Sequence, residues 1–395
     1  MNRQSAEVVI IGGGAIGTAI AYYLTTWGIK PTLLERSDIC SGTSGACDKA
    51  ISLQSKTPGL HLELAMTSAA MFSSLGRELQ CDIEYYRNGG MIAIENESQL
   101  SIMEAFVQRQ KSYGLPVDIV TNEEARRQQP ALSPKLIAAT YSPADGEVSP
   151  LKLTFGFAKA AKQQGAILRT GVMVTGLVIN HGRVEGVLTN QGTIPAGVVI
   201  NAAGIFAPAI GRMAGLDIPI RPRRGQIIVT EAVPPLIRGA LWSARYIVAK
   251  HNPDMIRQED PEAAKIGVGL SAGQTKEGTL LIGGSREFAG YQAVTTPEAI
   301  GAILRHAANI IPPLRTIHVI RTFAGLRPYT PDGMPIIGPV EEVGGFIMAA
   351  GHEGDGIALA PVTGKLVAQY VASGIMEKEI KGLLLSRFQK AAIES

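Results

Sequence analysis

Cysteine is scarce in this 395-residue chain: Cys40, Cys47 and Cys81 are the only three. An odd number cannot all pair, and their spacing matches no zinc pattern, so neither a disulfide framework nor a metal site is expected. Such usage fits a reducing, cytoplasmic setting. Charge is sparse as well. With 18% charged residues and a net charge of +3, basic side chains are too few and too dispersed for a nucleic-acid footprint, which needs them clustered on one face. The densest basic stretch, RPRRG at Arg221 to Gly225, reads equally as a solvated turn beside a strand and as an anion-binding segment. Long hydrophobic runs are missing too. Val8 to Leu24 is interrupted by four glycines and follows no basic leader, so neither a membrane span nor a signal peptide is expected there.

What is present is a globular composition, 46% hydrophobic with 45 glycines, over a length that predicts two domains. Val8 to Ile11 is a continuous apolar run of the kind that forms a strand buried on both faces of a parallel sheet. From Ala15, apolar residues at Ile16, Ala19, Ile20, Tyr23, Leu24 and Trp27 make one helical stripe, and Gly28 is placed to end it. A second strand, Thr32 to Leu34, closes on Glu35.

Between the first strand and the helix lies GxGxxG at Gly12, Gly14 and Gly17, with Glu35 following 18 positions after the last glycine. Each element has a physical reason in dinucleotide binding. Gly12 permits the tight turn, Gly14 lets the backbone approach a pyrophosphate, and Gly17 lets helix and strand pack closely. The helix N-terminus stabilises the phosphates, and the Glu35 carboxylate can accept hydrogen bonds from ribose hydroxyls. These residues leave NAD and FAD both open.

Further along, Val172 to Gly204 shows short apolar runs separated by turn signals at His181-Gly182 and Gln191-Gly192, as in a β-meander ending on a buried strand. Phe346 to Ala350 reads as a strand and Ile357 to Val371 as an apolar helix. The fold predicted is α/β: a discontinuous Rossmann-like nucleotide-binding domain from 1–80, 151–225 and 318–395, with a second, α+β domain built on a mixed sheet from 81–150 and 226–317. The stretch from His251 to Glu277 is polar and lacks a sustained period, which predicts a long excursion or flap.

Several separated motifs then agree: the GGGAIG opening with ER after the second strand, TSGACDKA, GGM at Gly89 to Met91, VINAAGIFAPAI, AGLRPYTPDGMPIIGP and AAGHEGDGIALAPVTG. In this order they resemble the D-amino acid oxidase and glycine oxidase (DAO) family of FAD-dependent amine oxidoreductases over nearly the whole chain. The resemblance implies FAD rather than NAD, with adenosine near Glu35 and Arg36 and the pyrophosphate over Ala15 and Ile16. Gly42, Thr43, Ser44, Gly45, Ala46, Cys47, Asp48 and Lys49 would follow the cofactor towards its ring. Val174 would lie on the adenine side, and Ala203 and Gly204 at the close-approach strand end. Gly354, Asp355, Gly356 and Ile357 would bring a second helix N-terminus to the flavin, favouring the negative charge that develops on reduction. No cysteine follows Cys81, so the C-terminal attachment of monomeric sarcosine oxidase is excluded and the FAD is expected to be non-covalent.

The family's substrate is an amino acid or amine with an α-carboxylate, whose α-hydrogen leaves as hydride to flavin N5. By this resemblance Arg327 binds the carboxylate, its planar fork suited to bidentate contact, and Tyr246 assists or is an ordinary strand tyrosine. His352 is a further candidate catalytic group, Glu353 reads as a solvated loop charge, and Lys49 either approaches the ring or faces solvent. One departure matters: where glycine oxidases carry an arginine after AGH, this chain has Gly354, which argues against a strictly glycine-like substrate. The insertion and the GHEGDGI variant look closer to β subunits of dye-linked proline, hydroxyproline or opine dehydrogenases, which pass electrons to flavin and iron-sulfur partner subunits. The expected activity is accordingly an amino or imino acid dehydrogenase within a larger complex. The alternatives are a glycine/sarcosine-type oxidase using oxygen and a non-catalytic flavin-holding subunit.

Overall fold

Val8 and Ile10 pack into one core and Val9 and Ile11 into another, which is why the first strand is apolar at every position. In the computed structural model, which describes residues 8–251 and 261–391, this strand is central in a six-stranded sheet. The order across the sheet is Ile336–Pro339, Phe346–Ala350, Val198–Asn201, Val8–Ile11, Thr32–Leu34 and Ile167–Arg169. All neighbours are parallel except the edge strand Ile336–Pro339, which runs antiparallel to Phe346–Ala350. The predicted meander is a separate three-stranded antiparallel sheet, Val174–Asn180, Arg183–Thr189 and Gly192–Pro195, feeding the buried strand Val198–Asn201.

The second layer is a mixed, eight-stranded sheet with its own core. Its strands come from 90–142, from 221–283 and from Val319–Tyr329. Two expectations are corrected here. The return to the six-stranded sheet comes after Tyr329 rather than at 318, because Val319–Tyr329 pairs along the length of Arg221–Ala232, from Arg221 opposite Tyr329 to Thr230 opposite Val319. The same pairing makes RPRRG the start of a strand, not a turn. Within the expected excursion, Pro261–Ile266 is helical and Ser271–Gln274 is an interior strand between Ala240–Ser243 and Thr279–Gly283, while 252–260 lie outside the described residues. Among the described residues no helix is long and apolar enough to cross a membrane.

Two helices set up the site. Ala15–Thr26 follows Val8–Ile11, and Gly356–Ser373 follows Phe346–Ala350, the strands on either side of Val198–Asn201. Both helices therefore start at the carboxyl edge of the same parallel sheet. They also pack closely: a Cβ on Gly364 would come within 2.9 Å of Ala19 Cβ and 2.8 Å of the Tyr23 ring.

Candidate active site

A cavity of ≈570 Å³ runs from the Gly12–Gly14 turn to the start of the helix at Gly356. Every residue expected around the cofactor lines it except Gly17, Gly45 and Lys49, and Arg327, Tyr246 and His352 line it too. The three exceptions have clear causes. Gly17 serves packing, since a Cβ there would lie 2.0 Å from the Gly12 carbonyl oxygen, and Gly45 is pressed equally close to the Cys40 carbonyl, at 2.2 Å. Lys49 is held away from the cavity by its own partners. Its Nζ donates to the Gln274 carbonyl at 2.9 Å and stands 3.5 Å from Glu147, so it approaches neither the cavity nor bulk solvent.

The near end fits a dinucleotide. Gly12 has φ +115°, and a Cβ on it would sit 2.5 Å from the Ala202 carbonyl oxygen. Ser44 Oγ accepts from the Ala15 N–H at 3.0 Å, tying the TSG segment to the helix start. The N-cap residue of this helix, Gly14, supplies no side-chain acceptor and its first turn carries no acidic residue, so the helix start beyond Ala15 suits an anion in the cavity. Glu35 shapes the loop directly: Oε2 accepts from Gly13 N–H at 2.7 Å and Oε1 from Ser37 N–H at 2.8 Å. Arg36 lies 3.8 Å over the Phe206 ring, which itself stacks on Tyr291. A platform of this kind suits a planar base.

At the far end the second helix also starts without a side-chain cap or first-turn acid. Asp355 does not cap it, because its carboxylate is engaged by Lys56 at 2.5 Å and by His61 Nε2 at 2.9 Å. Arg327 Nη1 donates to the Ser285 carbonyl at 2.9 Å. The guanidinium sits where Gly225 leaves room for it, since a Cβ at 225 would meet Nη1 at 2.3 Å. Arg286 lies over Tyr246, its guanidinium carbon 3.3 Å from the ring centre. That tyrosine is on the first turn of the helix Arg245–His251, not on a strand.

Glu353 departs from expectation, and His352 lies beside it. Glu353 is not a solvated loop charge but is 8% exposed and ion-paired with Arg223. Burial alone would raise its pKa, yet Arg223, Arg327 and Arg286 together outweigh burial and hold the carboxyl at about 2. His352 is buried, its Nε2 shares a hydrogen bond of 3.0 Å with Thr363 Oγ1, and burial pushes the imidazole down to about 3. It is therefore neutral at pH 7 and hydrogen-bonded to the second helix. Motif reasoning missed Arg223, Arg286 and Lys56. Arg223, in the basic stretch, pairs with the cavity residue Glu353 and does not itself line the cavity, whereas Arg286, in the GGSRE segment, does line it, and nothing local marks it as doing so.

A parallel sheet presenting two helix ends to one cavity, with Arg286 and Arg327 lining it, is the arrangement of a dinucleotide-binding protein with room beside the cofactor. Residues 7–370 match the family model described as FAD dependent oxidoreductase (DAO). The chain belongs to this family. It is 30% identical to hydrogen cyanide synthase subunit HcnC of Pseudomonas aeruginosa, over 98% of this chain and 97% of that protein. To glycine oxidase of Geobacillus kaustophilus it is 28% identical, over 92% of each. Among solved structures, L-proline dehydrogenase from P. horikoshii superposes with a TM-score of 0.87 at 28% identity, covering 98% of both chains. The chain is thus an FAD-dependent enzyme, and the glycine cradle and helix ends described above accommodate that cofactor.

Proposed function

We propose that this enzyme is a dehydrogenase of an amino or imino acid, of proline, D-hydroxyproline or opine type, working as the catalytic subunit of a larger complex. The observation that carries the substrate class is Arg327. Its guanidinium lines the cavity, Gly225 leaves space for it, and among the described residues it donates to a carbonyl and to no carboxylate. A planar fork left in that state is suited to an α-carboxylate. Similarity to a proline dehydrogenase and to a hydrogen cyanide synthase subunit supports the amino-acid class and the setting in a complex.

FAD, when bound, supplies the acceptor for the two electrons and the hydrogen of the C–H bond beside nitrogen, leaving an imine. What this chain contributes is orientation. Arg327 anchors one end of the substrate, the apolar and glycine-rich walls exclude water, and the uncapped start of Gly356–Ser373 supplies positive potential at the far end of the cavity. Neutral His352 adds no charge at neutral pH.

Anaerobic mixing of the holoenzyme with D-proline, hydroxyproline, sarcosine, glycine and an opine tests the reading. Bleaching of the flavin by one or more of them is expected, and none bleaching it would refute a catalytic role. Peroxide formed in air at the rate of turnover would instead indicate an oxidase.

A further inference from the structure

The far end of the cavity holds more positive charge than one carboxylate can match. Arg223, Arg286 and Arg327 all act on Glu353, and Arg223 and Arg327 also act on Arg286. Glu353 is taken by Arg223, and nearby Asp355 is matched by Lys56. Among the described residues Arg327 bonds only the Ser285 carbonyl. Arg286 lies on the Tyr246 ring and, among the described residues, meets no carboxylate. Burial pulls its guanidinium down to about 10, with Arg223 and Arg327 adding to the effect and Tyr246 and Glu353 opposing it. Among the described residues, two guanidinium groups therefore share the field of one carboxylate, Glu353, that is paired with a third, and neither has a carboxylate in contact, an arrangement that a ligand anion would complete.

We propose that Arg286 and Tyr246 form a second anion subsite in the Arg327 pocket, and that the substrate is a secondary amine with a carboxylate on each of its two arms. The inference rests on the amino acid reading above and narrows it. A substrate with one carboxylate would engage Arg327 and leave Arg286 unmatched. Room for a second arm exists beside Arg327, because Gly354 has no side chain and a Cβ there would meet only Arg327, at 3.7 Å. The cofactor's phosphates do not account for Arg286, since the glycine cradle and helix start that suit them lie at the opposite end of the cavity.

The test compares sarcosine with iminodiacetate, secondary amines that differ by one carboxylate. Each is titrated anaerobically into holoenzyme, and binding is read from the perturbed flavin spectrum before any bleaching. Iminodiacetate is expected to bind about ten- to a hundredfold more tightly, the range for one added charge-assisted contact. In Arg286→Met the ratio of the two dissociation constants should fall to near one, with partial recovery in Arg286→Lys. Retained FAD and an unchanged circular dichroism spectrum establish that both variants fold. A ratio near one in the wild type, or a ratio unmoved by Arg286→Met, overturns the inference. Bleaching by any amino acid with a ratio near one overturns it while sparing the amino acid reading. An Arg286-dependent ratio with no bleaching by any amine does the reverse, and no binding of either compound overturns the inference.

Discussion

Gly225 lies under the guanidinium of Arg327, where a Cβ would stand 2.3 Å from Nη1 and 2.4 Å from Nη2. The two residues are diagonal neighbours across paired strands, since Arg223 lies opposite Arg327 and Gly225 opposite Gly325. Gly225→Ala therefore presses on the movable tip of a side chain rather than on backbone, so the fold should survive while the fork is displaced. KM for the carboxylate substrate should rise at least about tenfold, equivalent to roughly one charge-assisted hydrogen bond. Arg327→Ala should raise it further. Both proteins should purify with an unaltered flavin spectrum, and unchanged KM in either would remove Arg327 from substrate binding.

Glu35 makes a second, separable prediction. Its carboxylate holds the glycine turn through Gly13 and the chain beyond through Ser37, and it also lines the cavity. Glu35→Ala should weaken FAD retention by about tenfold or more, because both loop order and ribose contacts are lost. Fluorescence titration of apoprotein with FAD measures this directly. A variant that purifies fully loaded and releases FAD no faster on dilution contradicts the role.

What the sequence reveals here follows the range over which each interaction acts. The glycine turn, its flanking strand and helix, and the strand-helix pair at Phe346–Ser373 are set by neighbours within one or two turns, so local pattern exposes them. The ion pair of Arg223 with Glu353 spans 130 positions and that of Lys56 with Asp355 spans 299. No periodicity encodes such partners, which is why Glu353 reads as a surface charge and Lys56 passes unnoticed. The strand Ser271–Gln274, SAGQ, escapes for a different reason. It has no β-branched or aromatic residue, and its place between two strands comes from tertiary pairing alone.

Acid stability should expose two buried groups of opposite sign. Burial pushes His352 from 6.5 down to about 3, against Asp355. Between those values the unfolded chain binds a proton that the folded chain does not, so stability rises with pH. Burial pushes Asp145 from 3.8 up to about 6, against hydrogen bonds from Gln54 and the Leu53 N–H. There the folded chain holds the extra proton, and stability falls as pH rises. Each slope is at most about 1.4 kcal/mol per pH unit, so from about pH 4.5 to 6 they nearly cancel in the wild type. Asp145→Asn should leave stability rising by about 1 kcal/mol per unit across that window, whatever its offset in absolute stability. Urea midpoints at three pH values measure the slope, and a flat profile in the variant would exclude the assignment.

The pair of Lys56 and Asp355 is the last case, and it separates an interaction from the cost of breaking it. The Lys56 side chain is 3% exposed and Asp355 is 14% exposed, with His61 on the second carboxylate oxygen. Lys56→Met strands a carboxylate that neither water nor one imidazole fully compensates, and removing one member of such a pair costs about 3–5 kcal/mol. Asp355→Asn alone strands the ammonium instead. In Lys56→Met/Asp355→Asn neither charge remains, so the double variant should be more stable than the sum of the single losses by at least about 1.5 kcal/mol in a urea double-mutant cycle. Strict additivity would mean that the two charges do not stabilise each other.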